Sequence, residues 1–296
     1  MQTAVDGSLD LVALLTLDRI ERDRFRNRFN RDNAYGHIFG GQIVAQSLAA
    51  ATATVNDRSV HSLHGYFMRG GSVDESVDFE VDRVRDGNRF SVRRVTAMQG
   101  QKKLFAMDCS FKIPLSGFDH QQPPATHFEP AAGIDFTAVT GLVPPDMASL
   151  AHQFSLLHPL ETRFAMADWL GPGGAPRRSY WVRYLNCSAI TDFAVHQQVL
   201  AYMSDFMLSG TALLPHTIPL PGPHVFVASL DHAIWFHRPA RCDEWLFFDT
   251  TSPSARGGVS LTQARIYDSA GDLVASVAQE ALQMPRQAND RTPPAQ

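Results

Sequence analysis

Long apolar runs are missing from this chain of 296 residues, and so is any concentration of positive charge. The longest apolar run near the start is Leu11 to Leu15, preceded by Asp6 and Asp10 and by no basic stretch. Neither a signal peptide nor a membrane span is therefore expected. The formal charge is −4 with basic residues scattered, so the electrostatic footprint of a nucleic-acid binder is absent and no nucleic-acid partner is expected. Cysteine is scarce. Cys109, Cys187 and Cys242 are odd in number and form no C-x-x-C pair, which argues against a disulfide framework or a zinc knuckle and for a reducing, cytoplasmic location. Also absent are the G-x-S-x-G elbow, the P-loop, G-x-G-x-x-G and H-E-x-x-H, which speaks against a covalent serine hydrolase of the α/β type. His61 and His64 lie three apart in a strand, and His232 and His237 five apart, so each pair should point to opposite faces and hold no local metal.

What the chain does have is a repeat. Tyr66 to Phe79 recurs as Trp235 to Phe248 at a constant shift of 169 positions, with Phe67, Arg69, Asp74, Glu75 and Phe79 matching Phe236, Arg238, Asp243, Glu244 and Phe248. The shift extends to Ser91 on Ser260 and to Leu104–Ala106 on Leu273–Ala275. With 44% hydrophobic residues the chain can bury the cores of two fused halves.

Each half reads as one helix followed by a meander. In the first, Phe39 to Gln42 opens an alanine-rich run at helical spacing, after a short apolar helix over Leu9 to Leu17 and a strand over Ile20 to Phe29. Strands are predicted at Val60 to Arg69, Val77 to Arg85, Phe90 to Gln99 and Lys103 to Ile113, with turns at Asp86-Gly87-Asn88 and Gln99-Gly100-Gln101. In the second half, strands are predicted at Pro159 to Asp168 and Ser179 to Asn186. Asp192 then caps a helix whose Val195, Val199, Tyr202, Met203 and Phe206 share a face. Further strands follow at Val225 to Arg238, Glu244 to Thr251, Gly258 to Tyr267 and Leu273 to Leu282. A proline-rich insertion, Ser209 to His224, breaks the parallel between the halves; a site wall and a plain surface excursion both fit it. The expected fold is α+β: two tandem hotdog units, 1–113 and 151–284, each an antiparallel sheet wrapped round a helix. A Pro/Gly-rich linker, 114–150, joins them, and 285–296 form a disordered tail.

Asp205 falls near the end of the second helix, where a carboxylate opposes the helix dipole. Two readings fit: a solvated surface acid, or one held in a partly buried site by the wrapping sheet.

Several ordered segments carry a family resemblance: Ile38 to Gln42, VHSLHGYFMR at Val60 to Arg69, YMSD at Tyr202 to Asp205, ASLDHAIWFHR at Ala228 to Arg238, and VASVAQE at Val274 to Glu280. Together with RDGNRFSVRRV from Arg85 and SARG from Ser254, they resemble the TesB-like acyl-CoA thioesterase II family, a double-hotdog family, from Leu11 to Met284. The resemblance implies hydrolysis of fatty acyl-CoA to free acid and CoA by an activated water, with no covalent acyl-enzyme and no cofactor beyond the CoA of the substrate. It implies a homo-oligomer, at least a dimer. It also implies that Asp205, Ser229 and Gln279 are the catalytic set, with Ser229 standing where other members carry Thr. By the same analogy the amides of Gly40 and Gly41 are the expected oxyanion donors. Arg85 and Arg256, near turns, and His64 are candidates for CoA contact, since guanidinium forks suit phosphate oxygens.

At the shift of 169, Ser229 falls on Val60 and Gln279 on Ser110, and helix alignment sets Asp205 against Ala49 to Ala51, so one catalytic set per chain is predicted. The alternatives are a catalytically silent acyl-CoA-binding module and a hotdog enoyl-CoA hydratase, which would need an Asp and a His placed together.

Overall fold

In a computed structural model, residues 10–33, 35–139, 158–165, 174–218 and 224–286 are described. Four α-helices, α1 (Leu11–Leu15), α2 (Gly40–Thr52), α3 (Phe136–Val139) and α4 (Phe193–Ser204), accompany 13 strands among these residues. Both halves share one antiparallel sheet, ordered β1-β2-β4-β5-β6-β3-β10-β13-β12-β11-β8-β7, with β9 pairing to β13. The strands are β1 (Leu17–Glu21), β2 (Arg24–Asn27), β3 (Ser59–Phe67), β4 (Asp78–Asp86), β5 (Phe90–Gln99), β6 (Lys102–Lys112), β7 (Glu161–Phe164), β8 (Arg177–Arg183), β9 (Val225–Ser229), β10 (Asp231–Phe236), β11 (Leu246–Arg256), β12 (Val259–Tyr267) and β13 (Leu273–Pro285).

The alternation of β5, with Ser91, Arg93, Val95, Ala97 and Gln99 buried and their neighbours more exposed, is the period of two that made it legible as a strand. Two predicted strands prove to be broken. Ile20 to Phe29 spans the β1–β2 hairpin, whose turn places Asp23 at φ 62°. Val225 to Arg238 divides at Leu230 into β9 and β10.

The halves meet where β3 pairs with β10, and His64 lies opposite Ala233, its own counterpart at the shift of 169. A pseudo-twofold axis therefore passes through that pair. The same shift carries β4 onto β11 and β5 onto β12, but not β6 onto β13. Leu63 faces Cys109, whereas the β10–β13 register sets His232, the counterpart of Leu63, opposite Gln279. The last strand is thus offset by 170, and the structural counterpart of Gln279 is Cys109 rather than Ser110. The extra residue sits in the longer Asp268–Asp272 turn, where the Asp268 carboxylate accepts the amides of Ala270 and Asp272. Leu104–Ala106 and Leu273–Ala275 match in sequence yet occupy different register positions.

The helices α2 and α4 pack together inside the curve of the sheet, and the core runs continuously from Leu48 and Leu63 to Leu200 and Ile234. Small residues on α2 permit this close approach. A Cβ on Gly41 would lie 2.6 Å from the Tyr202 carbonyl oxygen and 2.5 Å from Phe39 Cε1. Of the expected linker, 140–150 lies outside the described residues. Its beginning straps the opposite face of the second half: Gln121 bonds Leu273 and Gly271, and the Trp181 indole donates to the Phe128 carbonyl. The expected tail lies outside the described residues from 287 onward. No helix among the described residues is long and apolar enough to cross a membrane.

Candidate active site

α4 stops at Ser204 because the chain turns there. Asp205 is the C-cap, Tyr180 Oη donates to the Phe206 carbonyl at 2.9 Å, and Met207 takes a left-handed φ of 59°, which a non-glycine residue tolerates only under tertiary constraint. This turn points Asp205 at the start of α2. A Cβ on Gly40 would come within 2.8 Å of Asp205 Oδ2. The amides of Gly40 and Gly41 have no hydrogen-bond partner among the described residues, whereas those of Gln42 and Ile43 bond the Phe39 carbonyl. An α-helix leaves its first amides unpaired, and Gly40 at this helix start lines a cavity.

That cavity, of about 1180 Å³, is lined by Gly40, Asp205 and Ser229 together with apolar Ile38, Phe39, Phe67, Met207 and Val227. Ser209, the first residue of the proline-rich insertion, also lines it; 208–216 form a packed 3₁₀ helix, and 219–223 lie outside the described residues. Three cationic side chains, Arg69, Lys102 and Arg286, border the same cavity. Arg85, Arg256 and His64 do not. Arg85 and Arg256 are exposed at strand ends, and His64 sits on the outer face against Trp235, with ring centroids 4.8 Å apart.

Ser229 reaches the cavity through a β-bulge. Ser229 faces Ala281 and Ala233 faces Ala278, so β9 and β10 contain one residue more than the β13 segment they pair with. Asp231 secures the bulge by accepting the Glu280 amide at 2.6 Å. The consequence is a change of parity. Ser229 and His232 are three apart, yet both side chains lie on the inner face. Gln279 Nε2 donates to Ser229 Oγ at 2.6 Å, and Gln279 Oε1 meets His232 Nδ1 at 2.7 Å. His232 Nε2 in turn meets Ser204 Oγ at 2.8 Å. Gln279 is 1% exposed and His232 0%. Gln279 therefore stands behind Ser229, outside the cavity lining. In the first half the bulge recurs at His61, but Val60, Leu63 and Cys109 occupy the places of Ser229, His232 and Gln279. The helix C-caps align Asp205 with Ala53, not with Ala49 to Ala51.

His232 was missed by sequence reasoning. The signal was present in the repeat, where it replaces Leu63, but the pairing with Gln279 needed the register of β13. A separate cluster of Cys187, His196 and Asp243 brings ligand-type atoms within 4.8 Å of one another. Both His196 ring nitrogens are engaged, Nδ1 by the Cys242 amide at 3.1 Å and Nε2 by the Ile190 carbonyl at 3.0 Å, which leaves the ring no lone pair for an ion.

Burial holds the pKa of both His232 and His158 below the ordinary histidine range, although Asp205 pulls that of His232 the other way. The unfolded chain then binds protons that the folded one refuses once pH falls below about 6.5, each histidine costing up to about 1.4 kcal/mol per pH unit. Stability should be complete above that pH and lost as pH falls, with a lower urea midpoint at pH 5.5 than at pH 7.5. An equal or higher midpoint at pH 5.5 contradicts the neutral burial of these rings.

Comparison with known proteins matches two family profiles in tandem. The acyl-CoA thioesterase N-terminal domain covers residues 30–112 and the acyl-CoA thioesterase C-terminal domain covers 135–283. The chain is 34% identical to the mouse protein acyl-coenzyme A thioesterase 8 over 286 residues, covering 93% of this chain and 89% of that one. It is 32% identical to acyl-CoA thioesterase 2 of Haemophilus influenzae, covering 92% and 96%. Among solved structures, an acyl-CoA thioesterase II, TesB2 from Mycobacterium marinum, superposes with a TM-score of 0.77 at 35% identity, covering 95% of this chain and all of that one.

Proposed function

The chain belongs to the TesB-like acyl-CoA thioesterase II family, and from that premise we propose how its residues carry out acyl-CoA hydrolysis. The thioester carbonyl lies in the cavity against Gly40 and Asp205. The Asp205 carboxylate accepts a proton from a water, and the Ser229 hydroxyl fixes the orientation of that water. The water oxygen attacks the carbonyl carbon, and the oxyanion that develops is met by the unpaired amides of Gly40 and Gly41 at the positive end of α2. The C–S bond then breaks and CoA leaves as a thiolate, which needs less acid assistance than an amine or an alkoxide. CoA phosphates are assigned to Arg69, Lys102 and Arg286, which border the cavity, in place of Arg85, Arg256 and His64.

The observation that carries this reading is the convergence of Asp205, Ser229 and the start of α2 on one cavity, with Ser229 tied to buried Gln279. His232 does not support the hydratase alternative, because it is buried with both nitrogens hydrogen-bonded and cannot reach a substrate proton; the histidine that lines the cavity is His37. For the proposed homo-oligomer, Tyr66 at 67% exposure and Trp235 lie beside the pseudo-dyad on the outer face and offer a contact surface.

Free-thiol release from acyl-CoAs of several chain lengths tests the assignment. Gln279→Ala should lower kcat by about 10²-fold, the cost of a misplaced reacting group. Wild-type rates in this variant would refute the site. Binding without hydrolysis at every chain length would favour the silent-module reading.

A further inference from the structure

A buried glutamine amide has two orientations related by a flip, and only one of them leaves the Ser229 proton free for the cavity. With Nε2 toward Ser229 Oγ, the serine accepts and its O–H is available to a water. With Oε1 there, the serine proton is drawn back into the protein. Nothing on Ser229 itself chooses between the two.

We infer that His232 is a positioning residue for hydrolysis, which locks Gln279 with its N–H toward Ser229. The inference rests on the function proposed above. The hydrogen bonds form a single chain: Gln279 Nε2–H donates to Ser229 Oγ at 2.6 Å, and Gln279 Oε1, which can only accept, takes the proton of His232 Nδ1 at 2.7 Å, so Nε2 is left to accept from Ser204 Oγ, 2.8 Å away and equally close to the Ala201 carbonyl. A ring kept neutral by burial has one N–H, so its tautomer sets the direction of the whole chain. The other half of the molecule supplies the contrast. Leu63 occupies the matching position opposite Cys109, with 0% exposure, so a leucine fits this place in the fold where no polar chain is required.

The test is thiol release with His232→Leu, His232→Asn and the double variant His232→Leu with Gln279→Ala. Leucine removes the donor, and kcat should fall about 10²-fold with KM within about twofold, because His232 does not line the cavity. Asparagine can place an N–H near the Nδ1 position and should hold kcat within about fivefold of wild type. In the Gln279→Ala background, His232→Leu should cost less than about twofold more, since its route to the reaction is already cut. If His232→Leu does not fold, Ser204→Ala replaces it, with an expected loss of about tenfold that also vanishes without Gln279. Three results overturn the inference: a wild-type kcat in the donor-less variant, an asparagine variant as impaired as leucine, or a loss that multiplies with that of Gln279→Ala. If Gln279→Ala alone leaves hydrolysis intact, the proposed site falls as well; if it slows hydrolysis while His232→Leu does not, only the role of His232 falls.

Discussion

Asp205→Asn should slow acyl-CoA hydrolysis by about 10³-fold, the contribution expected of a positioned general base, while leaving the protein folded. The amide keeps the shape of the carboxylate but has lost the site that takes the water's proton. Stability should hardly move, because two effects oppose each other. Asp205 is the C-cap of α4, where negative charge is unfavourable, and it faces the start of α2, where negative charge is favourable. Each effect amounts to about 0.3–1 kcal/mol, so the melting midpoint should shift by less than about 3 °C. The measurement pairs thiol-release kinetics with a thermal melt on the same preparation. Near-wild-type turnover would remove Asp205 from the mechanism. A collapsed melting point would mean that the acid serves the fold.

Gly41→Ala should damage both stability and activity. The added Cβ would meet the Tyr202 carbonyl oxygen at 2.6 Å, Phe39 Cε1 at 2.5 Å and Asp205 Cβ at 3.1 Å. A ring can rotate aside, but a backbone carbonyl in the last turn of α4, carried on a buried residue, cannot move alone, so the two helices must separate. Replacing glycine within a helix gains up to about 1 kcal/mol from backbone entropy, whereas overpacking a core contact costs about 1–3 kcal/mol. The clash should win, with a net loss of stability in urea unfolding. Separation also carries Asp205 away from the α2 amides, so kcat should fall by about 10²-fold. Gly117→Ala, where a Cβ would meet nothing within 4 Å, should leave both quantities near wild type. A Gly41→Ala protein as stable and active as that control would show that the α2–α4 approach is not constrained as described.

Local chemistry explains what could be read in advance. Strands β3, β5, β6, β12 and β13 announce themselves through alternation and turn glycines, because a pleated strand with one buried face imposes a period of two on its own residues. Asp205, Ser229, Gln279, Gly40 and Gly41 were reached through family likeness, not through periodicity. The bulge at Leu230 left no local mark, since it exists only relative to β13. The same holds for the register that pairs Gln279 with His232 and Leu63 with Cys109, where a matching tripeptide pointed one residue astray.

By itself, then, the sequence determined that this chain is a duplicated α+β protein whose second half departs from the first at a few polar positions, because burial patterns and repeats are carried by neighbouring residues. Only the tertiary structure decided which of those positions act together. A one-residue longer turn and a one-residue bulge reverse the facing of side chains on β9 and β13, and hydrogen bonds with partners far away in the chain determine where such offsets come to rest.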